Sequence, residues 1–253
     1  MRRGVYPEVD TKGRPMRSVG DAWRPLLAGA AVLLTALALG PAALAHGIGG
    51  SDAAFVASNR GVEIVPFLYL GAKHMVTGYD HLLFILGVIF FVYRLSHVAL
   101  YVTMFSLGHS ITLLTGVISG IHANPYLIDA IIGLSVAYKA FDNLGGFTTL
   151  FGVQPDARAA VLIFGLFHGF GLATKLQALK MSADGLIANL VSFNVGVEIG
   201  QLIALTAMLG LILWWRRSPG FARQAVAANA LILGCGFLLM DIQLAGFFTH
   251  RGA

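Results

Sequence analysis

Apolar stretches of membrane-spanning length follow one another through most of this 253-residue chain, with only short polar breaks between them. A helix needs about 20 mostly apolar residues to cross a bilayer, and the longest polar break, 145–158, is too short for a soluble core of its own. Charged residues make up 11% of the chain, against about 25% in soluble domains. We therefore predict an all-α, polytopic membrane helix bundle in residues 62–253. Its six predicted transmembrane helices cover 76–93, 97–118, 125–143, 158–176, 186–215 and 224–248.

The first 45 residues have the pattern of a secretory leader. A basic segment that ends at Arg24 precedes an apolar run at 26–40, and an Ala-Leu-Ala cleavage pattern follows at 43–45. We predict a signal peptide at 1–45. The alternative is an uncleaved anchor helix, because the apolar run is close to the minimum length for crossing a bilayer.

Cleavage after residue 45 would place His46 at a mature amino terminus in the periplasm, where it could be the first ligand that an incoming ion meets. Residues 46–61 are rich in Gly, Ser and Ala and are predicted to form a short periplasmic arm. The remaining chain would then be a multi-pass protein of a bacterial-type inner membrane.

The distribution of basic residues argues against nucleic acid as a partner and gives a weak orientation signal. Six of the seventeen Lys and Arg residues precede residue 25, so the net charge of +5 mostly reflects the leader. Of the others, six fall in predicted inner loops and five outside, a small excess in the sense of the positive-inside rule. The six inner ones are Arg94, Lys139, Arg158, Arg216, Arg217 and Arg223.

Ionisable residues within the predicted spans are the main functional candidates, since charge in hydrocarbon costs at least about 2.5 kcal/mol. His74 and His81 are seven positions apart, which brings two imidazoles to one helix face within about 20°. Asp80 would point elsewhere on a continuous helix. Gly78 lies between them and allows a bend that turns all three groups toward one cavity, as broken helices do in transporters.

Later spans add further polar residues beside small ones. His109 and His168 are each flanked by glycine, which favours close helix packing around them. In another span, Asn194, Glu198 and Gln201 are spaced by four and three residues, so they share one helix face. If Glu198 is deep in the membrane, it is either a neutral acid or a carboxylate bound to a cation, and we favour the cation.

Together these residues predict one intramembrane metal site. The chain has a single cysteine, Cys235, so the ligands must be nitrogen and oxygen, which suit nickel, cobalt, zinc, iron or manganese better than copper(I). Ser110, Asn194 and Gln201 are predicted to orient the ligands. Lys139 and Asp142, one turn apart, are predicted to be a structural ion pair or snorkelling residues, and not ligands. The predicted metal ligands are His74, Asp80, His81, His109, His168 and Glu198.

These motifs resemble those of the HupE/UreJ family of hydrogenase and urease accessory membrane proteins. The likeness rests on His74, the Gly-Tyr-Asp-His-Leu step at 78–82, His109-Ser110, Phe-His-Gly at 167–169 and the stripe at 193–201. The resemblance implies a six-helix permease or accessory protein for nickel that serves a hydrogenase or urease maturation system. It also implies that the first His and the Asp-His pair are uptake or selectivity ligands.

Three functions are compatible with these patterns. The leading one is an inner-membrane permease or accessory protein for a divalent transition metal, with nickel favoured. The second is a membrane metalloenzyme that holds one or two metal ions permanently, although a repeated Glu-x-x-His pattern, typical of di-iron bundles, is not found in the sequence. The third is an assembly factor that does not transport. Enzymatic activity is the less favoured expectation.

Overall fold

The described part of the protein is entirely helical, as the sequence predicts. A computed structural model describes residues 50–179 and 182–250, so the predicted signal peptide and His46 lie outside the described residues. The described segments form nine helices and no strand. The helices are α1 Gly50–Ser58, α2 Ile64–Thr77, α3 Tyr79–Ile89, α4 Leu95–Ser119, α5 Pro125–Asn143, α6 Gly146–Phe151, α7 Ala157–Ala178, α8 Leu186–Trp215 and α9 Phe221–His250.

Four of these helices, α4, α7, α8 and α9, are long and apolar enough to cross a membrane. Helix α5 has 19 residues and fills the position of another predicted span, but it carries Asp129, Lys139 and Asp142. The first predicted span, 76–93, has different bounds in the structure. Its apolar helix α3 has only 11 residues and follows a 14-residue helix, α2, most of which lies before the predicted span.

Gly78 separates α2 from α3. Its backbone is extended, with φ −74° and ψ 101°, and its N–H donates to the carbonyl of His74. A Cβ atom on Gly78 would lie 2.7 Å from Nδ1 of His81 and 3.2 Å from Oδ1 of Asp80. Glycine is therefore required here because the side chains of His81 and Asp80 occupy the space that a methyl group would fill.

The helices pack most extensively in three pairs, α4 with α7, α2 with α8, and α5 with α9. Glycines bring the first pair together: Gly165 and Gly169 of α7 lie against the backbone of Phe105 and His109 of α4, where any Cβ would collide. Such small-residue contacts are typical of membrane helices. In this protein they bring α7 and α4 close together at the level of His168 and His109.

The end of the bundle where α3 and α8 finish is rich in arginine. Arg216, just after α8, donates hydrogen bonds to the carbonyls of Ile89 and Phe90, which ties the two helix ends together. Arg94 precedes α4 at the same end. We call it the arginine-rich end, and its five members are Arg94, Arg158, Arg216, Arg217 and Arg223.

Candidate metal centre

Four histidine rings from four helices meet halfway along the bundle. The ring of His81 is central, with centroid distances of 5.1 Å to His74, 4.9 Å to His168 and 6.1 Å to His109. His109 and His168 lie near the middles of α4 and α7, while His74 and His81 flank the break at Gly78. The structure thus brings all four predicted histidines together.

Asp80 fixes the orientation of His81. Its Oδ1 atom lies 2.7 Å from Nδ1 of His81 and also accepts the backbone N–H of His81 at 2.7 Å. Both side chains are buried, with 2% and 3% of their surface exposed. A carboxylate that accepts from one ring nitrogen fixes the tautomer and leaves the other nitrogen basic. Nε2 of His81 is therefore the nitrogen prepared for a ligand.

His168 is oriented in a similar way by the backbone. Its Nδ1 lies 2.8 Å from the carbonyl of Phe164, one helical turn earlier, so Nδ1 is the donor and Nε2 the basic nitrogen. One potential ligand atom from each of Asp80, His81 and His168 falls within 4.8 Å of the others. Two imidazoles and one carboxylate could therefore reach the same small cation.

Several ring nitrogens are buried without a hydrogen bond to the described protein. They are Nε2 of His74, Nε2 of His81 and both nitrogens of His109. An unsatisfied buried polar atom costs about 1–3 kcal/mol. A metal ion that accepts the lone pairs of these nitrogens would offset that cost. The residues present therefore fit a borderline divalent metal, for which imidazole and carboxylate are suitable ligands.

Phenylalanines surround the cluster on several sides. The ring of Phe105 lies 5.0 Å from that of His168, Phe84 lies 5.4 Å from His168, and Phe193 lies 6.1 Å from His74. All three are at most 2% exposed, so they exclude water from the rings. Sequence reasoning missed them, although Phe84 and Phe105 are three and four residues from a cluster histidine and therefore on the same helix face.

The three predicted orienting residues connect α8 with α4 beside the cluster. Asn194 donates to the hydroxyl of Ser110 at 2.7 Å, and the hydroxyl of Ser106 donates to Gln201 at 2.8 Å. These bonds hold together two helices that otherwise have few contacts. An effect of these bonds on the orientation of the histidines stays a prediction.

Comparison with known proteins identifies a family to which the chain is similar. The family model described as HupE / UreJ protein matches residues 50–251, well over half of the chain and all of the cluster. The chain belongs to the HupE/UreJ family. No curated protein and no solved structure matches it. The resemblance in the sequence motifs is therefore confirmed, and with its apolar helices this HupE/UreJ protein is a membrane protein.

The structure does not bring Glu198 to the cluster of this HupE/UreJ protein. Glu198 is exposed on the outer side of α8, whereas Phe193, Val197 and Gln201 face inward. The spacing places Asn194, Glu198 and Gln201 on one face of the helix. The buried side of α8, however, is the side that carries Val197, and Glu198 lies just outside that side. Spacing alone cannot show which part of a polar stripe faces the neighbouring helices.

Proposed function

We propose that this HupE/UreJ protein is an inner-membrane permease or accessory protein for a divalent transition metal, with nickel as the favoured cargo. The observation that carries the proposal is the convergence of four imidazoles and one carboxylate halfway along the bundle, at a broken helix. Transporters commonly bind substrates at this depth, where interrupted helices supply the ligands. The negative charge of the buried carboxylate offsets part of the cost of removing a cation from water.

The ligand set favours exchange of the ion over permanent retention. Among the described residues the group contains one carboxylate, Asp80, which balances only part of the charge of a divalent ion. Conduction requires a site that binds strongly enough to admit an ion and weakly enough to release it. Neutral imidazoles with a single carboxylate meet that requirement better than a cage of several carboxylates would.

The metal's identity and its destination are part of the proposal. Imidazole and carboxylate ligands suit nickel and cobalt, and zinc, iron and manganese are compatible with them. Nickel is preferred on the family relationship, which also suggests a hydrogenase or urease maturation system as the recipient. In this scheme Asp80 holds the ring of His81 and the carbonyl of Phe164 holds that of His168, so two ligands are oriented before the ion arrives.

A membrane metalloenzyme is the second candidate, and the burial of the site favours it. His81, His109 and His168 are exposed by only 3%, 1% and 1%, which would slow the escape of a bound ion. Such a protein would retain its metal through chelation, whereas a permease would exchange it. The lifetime of the bound ion therefore separates the two functions.

Uptake into proteoliposomes tests the proposal directly. Purified protein would be assayed with nickel, cobalt, zinc, iron and manganese, as wild type, as His81→Ala and as the control His122→Ala, which removes an exposed histidine from a loop. We expect saturable uptake of one ion that His81→Ala abolishes and His122→Ala retains. Absence of uptake with tightly held metal would favour the metalloenzyme. Absence of both would favour a non-transporting assembly factor.

A further inference from the structure

A wide cavity and a narrow one meet at a single ion pair near the arginine-rich end. The wide cavity has a volume of about 390 Å³ and is open to the outside of the bundle. The narrow one has about 10 Å³, room for roughly one water molecule, and it is lined in part by Phe84 and Phe164. Both cavities are lined by Lys139, Asp142 and Ala157.

Helix α3 connects these cavities with the histidine cluster. His81 lies in the cluster, Phe84 lines the narrow cavity and Val88 lines the wide one. Spacings of three and four residues keep these side chains on one helix face, and the distance along the helix is about 10 Å at 1.5 Å per residue. The Phe84 ring is 5.4 Å from that of His168 and 5.9 Å from that of Phe164, so phenylalanines separate the cluster from the narrow cavity.

The ion pair at the junction consists of Lys139 and Asp142 of α5, which is one of the two alternatives that the sequence predicts for these residues. Nζ of Lys139 donates to Oδ2 of Asp142, and Gln154 donates to Oδ1 at 2.8 Å. The two charged side chains are 12% and 10% exposed. The stem of Lys139 lies beside Gly87 of α3, where a Cβ would approach its Cγ to 3.3 Å, so the lysine crosses from α5 to the helix that carries His81.

We propose that the Lys139–Asp142 pair is the gate through which the cation passes between the histidine cluster and the arginine-rich end. Asp142 is the transient ligand of the passing cation, and Lys139 is the tethered cation that competes for the same carboxylate and displaces the ion. The inference rests on the proposed function. Because the pair lines both cavities, it can bind and release a passing cation, which a purely structural ion pair would not do.

The competition between Lys139 and the cargo explains why a carboxylate in this position need not trap the ion. An unpaired carboxylate with restricted access to water would hold a divalent cation, whereas conduction needs a site that releases it. Since the ammonium group stays attached to α5, it returns to Asp142 whenever the cation moves into the wide cavity. Release of the ion from Asp142 would therefore be coupled to the return of Lys139 to the same carboxylate.

Two single variants and one double variant test the gate in the intact protein. Lys139→Met removes the charge and keeps an apolar stem beside Gly87, so Asp142, which then has no ammonium partner, should bind one additional equivalent of Ni²⁺. Uptake by this variant should slow by at least about tenfold, because no tethered ammonium group remains to displace the ion from Asp142 and the site must be weak enough to release it. Asp142→Asn should slow uptake to a similar extent without adding a binding equivalent.

The double variant Lys139→Met/Asp142→Asn keeps the junction neutral, so it should fold even if a lone buried charge does not permit folding. We expect it to bind Ni²⁺ at the cluster with wild-type stoichiometry and to transport severalfold more slowly. The matched control is Arg158→Met, which removes one exposed positive charge from the same end and should transport as wild type does.

Equilibrium dialysis of Ni²⁺ and proteoliposome uptake would be measured on the same preparations. Wild-type uptake by the double variant, or an unchanged Ni²⁺ stoichiometry in folded Lys139→Met, would overturn the gate. In either case normal uptake by the wild type would leave the proposed function intact. Lack of uptake by the wild type itself, or uptake that His81→Ala does not alter, would instead overturn the proposed function.

Discussion

Asp80 is the residue on which the geometry of the histidine cluster depends most directly. Its carboxylate contacts both the backbone and the ring of His81, and His81 is the ring that the other three surround. The sequence could predict that His74 and His81 share a region, because their spacing and Gly78 are visible in it. It could not predict that Glu198 faces outward, since that depends on how α8 is rotated against its neighbours.

Replacing Asp80 with asparagine tests the contribution of its carboxylate, as the group that orients His81 and as a candidate ligand, at nearly constant volume. Asp80→Asn removes the negative charge and the strong acceptor for Nδ1 of His81, so we expect metal affinity to fall by about 10- to 100-fold, as for other residues that orient metal ligands. Isothermal titration with Ni²⁺ measures the change. Asp184→Asn, at an exposed position, is the control and should bind as wild type does. Equal affinities in the two variants would contradict the role assigned to Asp80.

Among the helices, the break between α2 and α3 contributes most to the site. It allows His74, at the end of one helix, and His81, at the start of the next, to approach within 5.1 Å. The sequence indicated the break through Gly78, but it did not show that a 14-residue helix precedes it. The region before the break contains Lys73 and His74, so the hydropathy pattern places the start of the first span at residue 76.

A methyl group at the break should disturb the site more than the fold. In Gly78→Ala the new Cβ would lie 2.7 Å from Nδ1 of His81, so the ring must move away from Asp80, and we expect weaker Ni²⁺ binding in a protein that still unfolds cooperatively. Gly210→Ala is the control, because Gly210 lies within α8 with nothing within 4 Å of its Cβ position. Alanine there should be neutral or stabilise the helix by about 0.5–1 kcal/mol. Thermal unfolding and equilibrium dialysis distinguish the two effects.

For the whole molecule, the direction of transport depends on which end of the bundle faces the cytoplasm. The histidine cluster lies halfway along the bundle, and the wide cavity lies near the arginine-rich end. The predicted signal peptide and the positive-inside rule both place that end in the cytoplasm. The cavity would then be an exit, which fits a gate that releases the ion. The sequence predicted the helical class, but it could not predict the cavities, because they arise between side chains of helices distant in sequence.

Cysteine labelling tests this orientation. In a Cys235→Ser background, Ser58→Cys and Ser96→Cys would place exposed thiols at opposite ends of the bundle, the second beside Arg94. With a membrane-impermeant maleimide on cells whose outer membrane is permeable, we expect the first thiol to react at once and the second only after the inner membrane is opened. The reverse pattern would turn the arginine-rich end outward. The Lys139–Asp142 pair would then lie on the uptake side of the cluster, and competition from Lys139 would limit which cations enter. In the predicted orientation, by contrast, Lys139 displaces the ion into the cytoplasm.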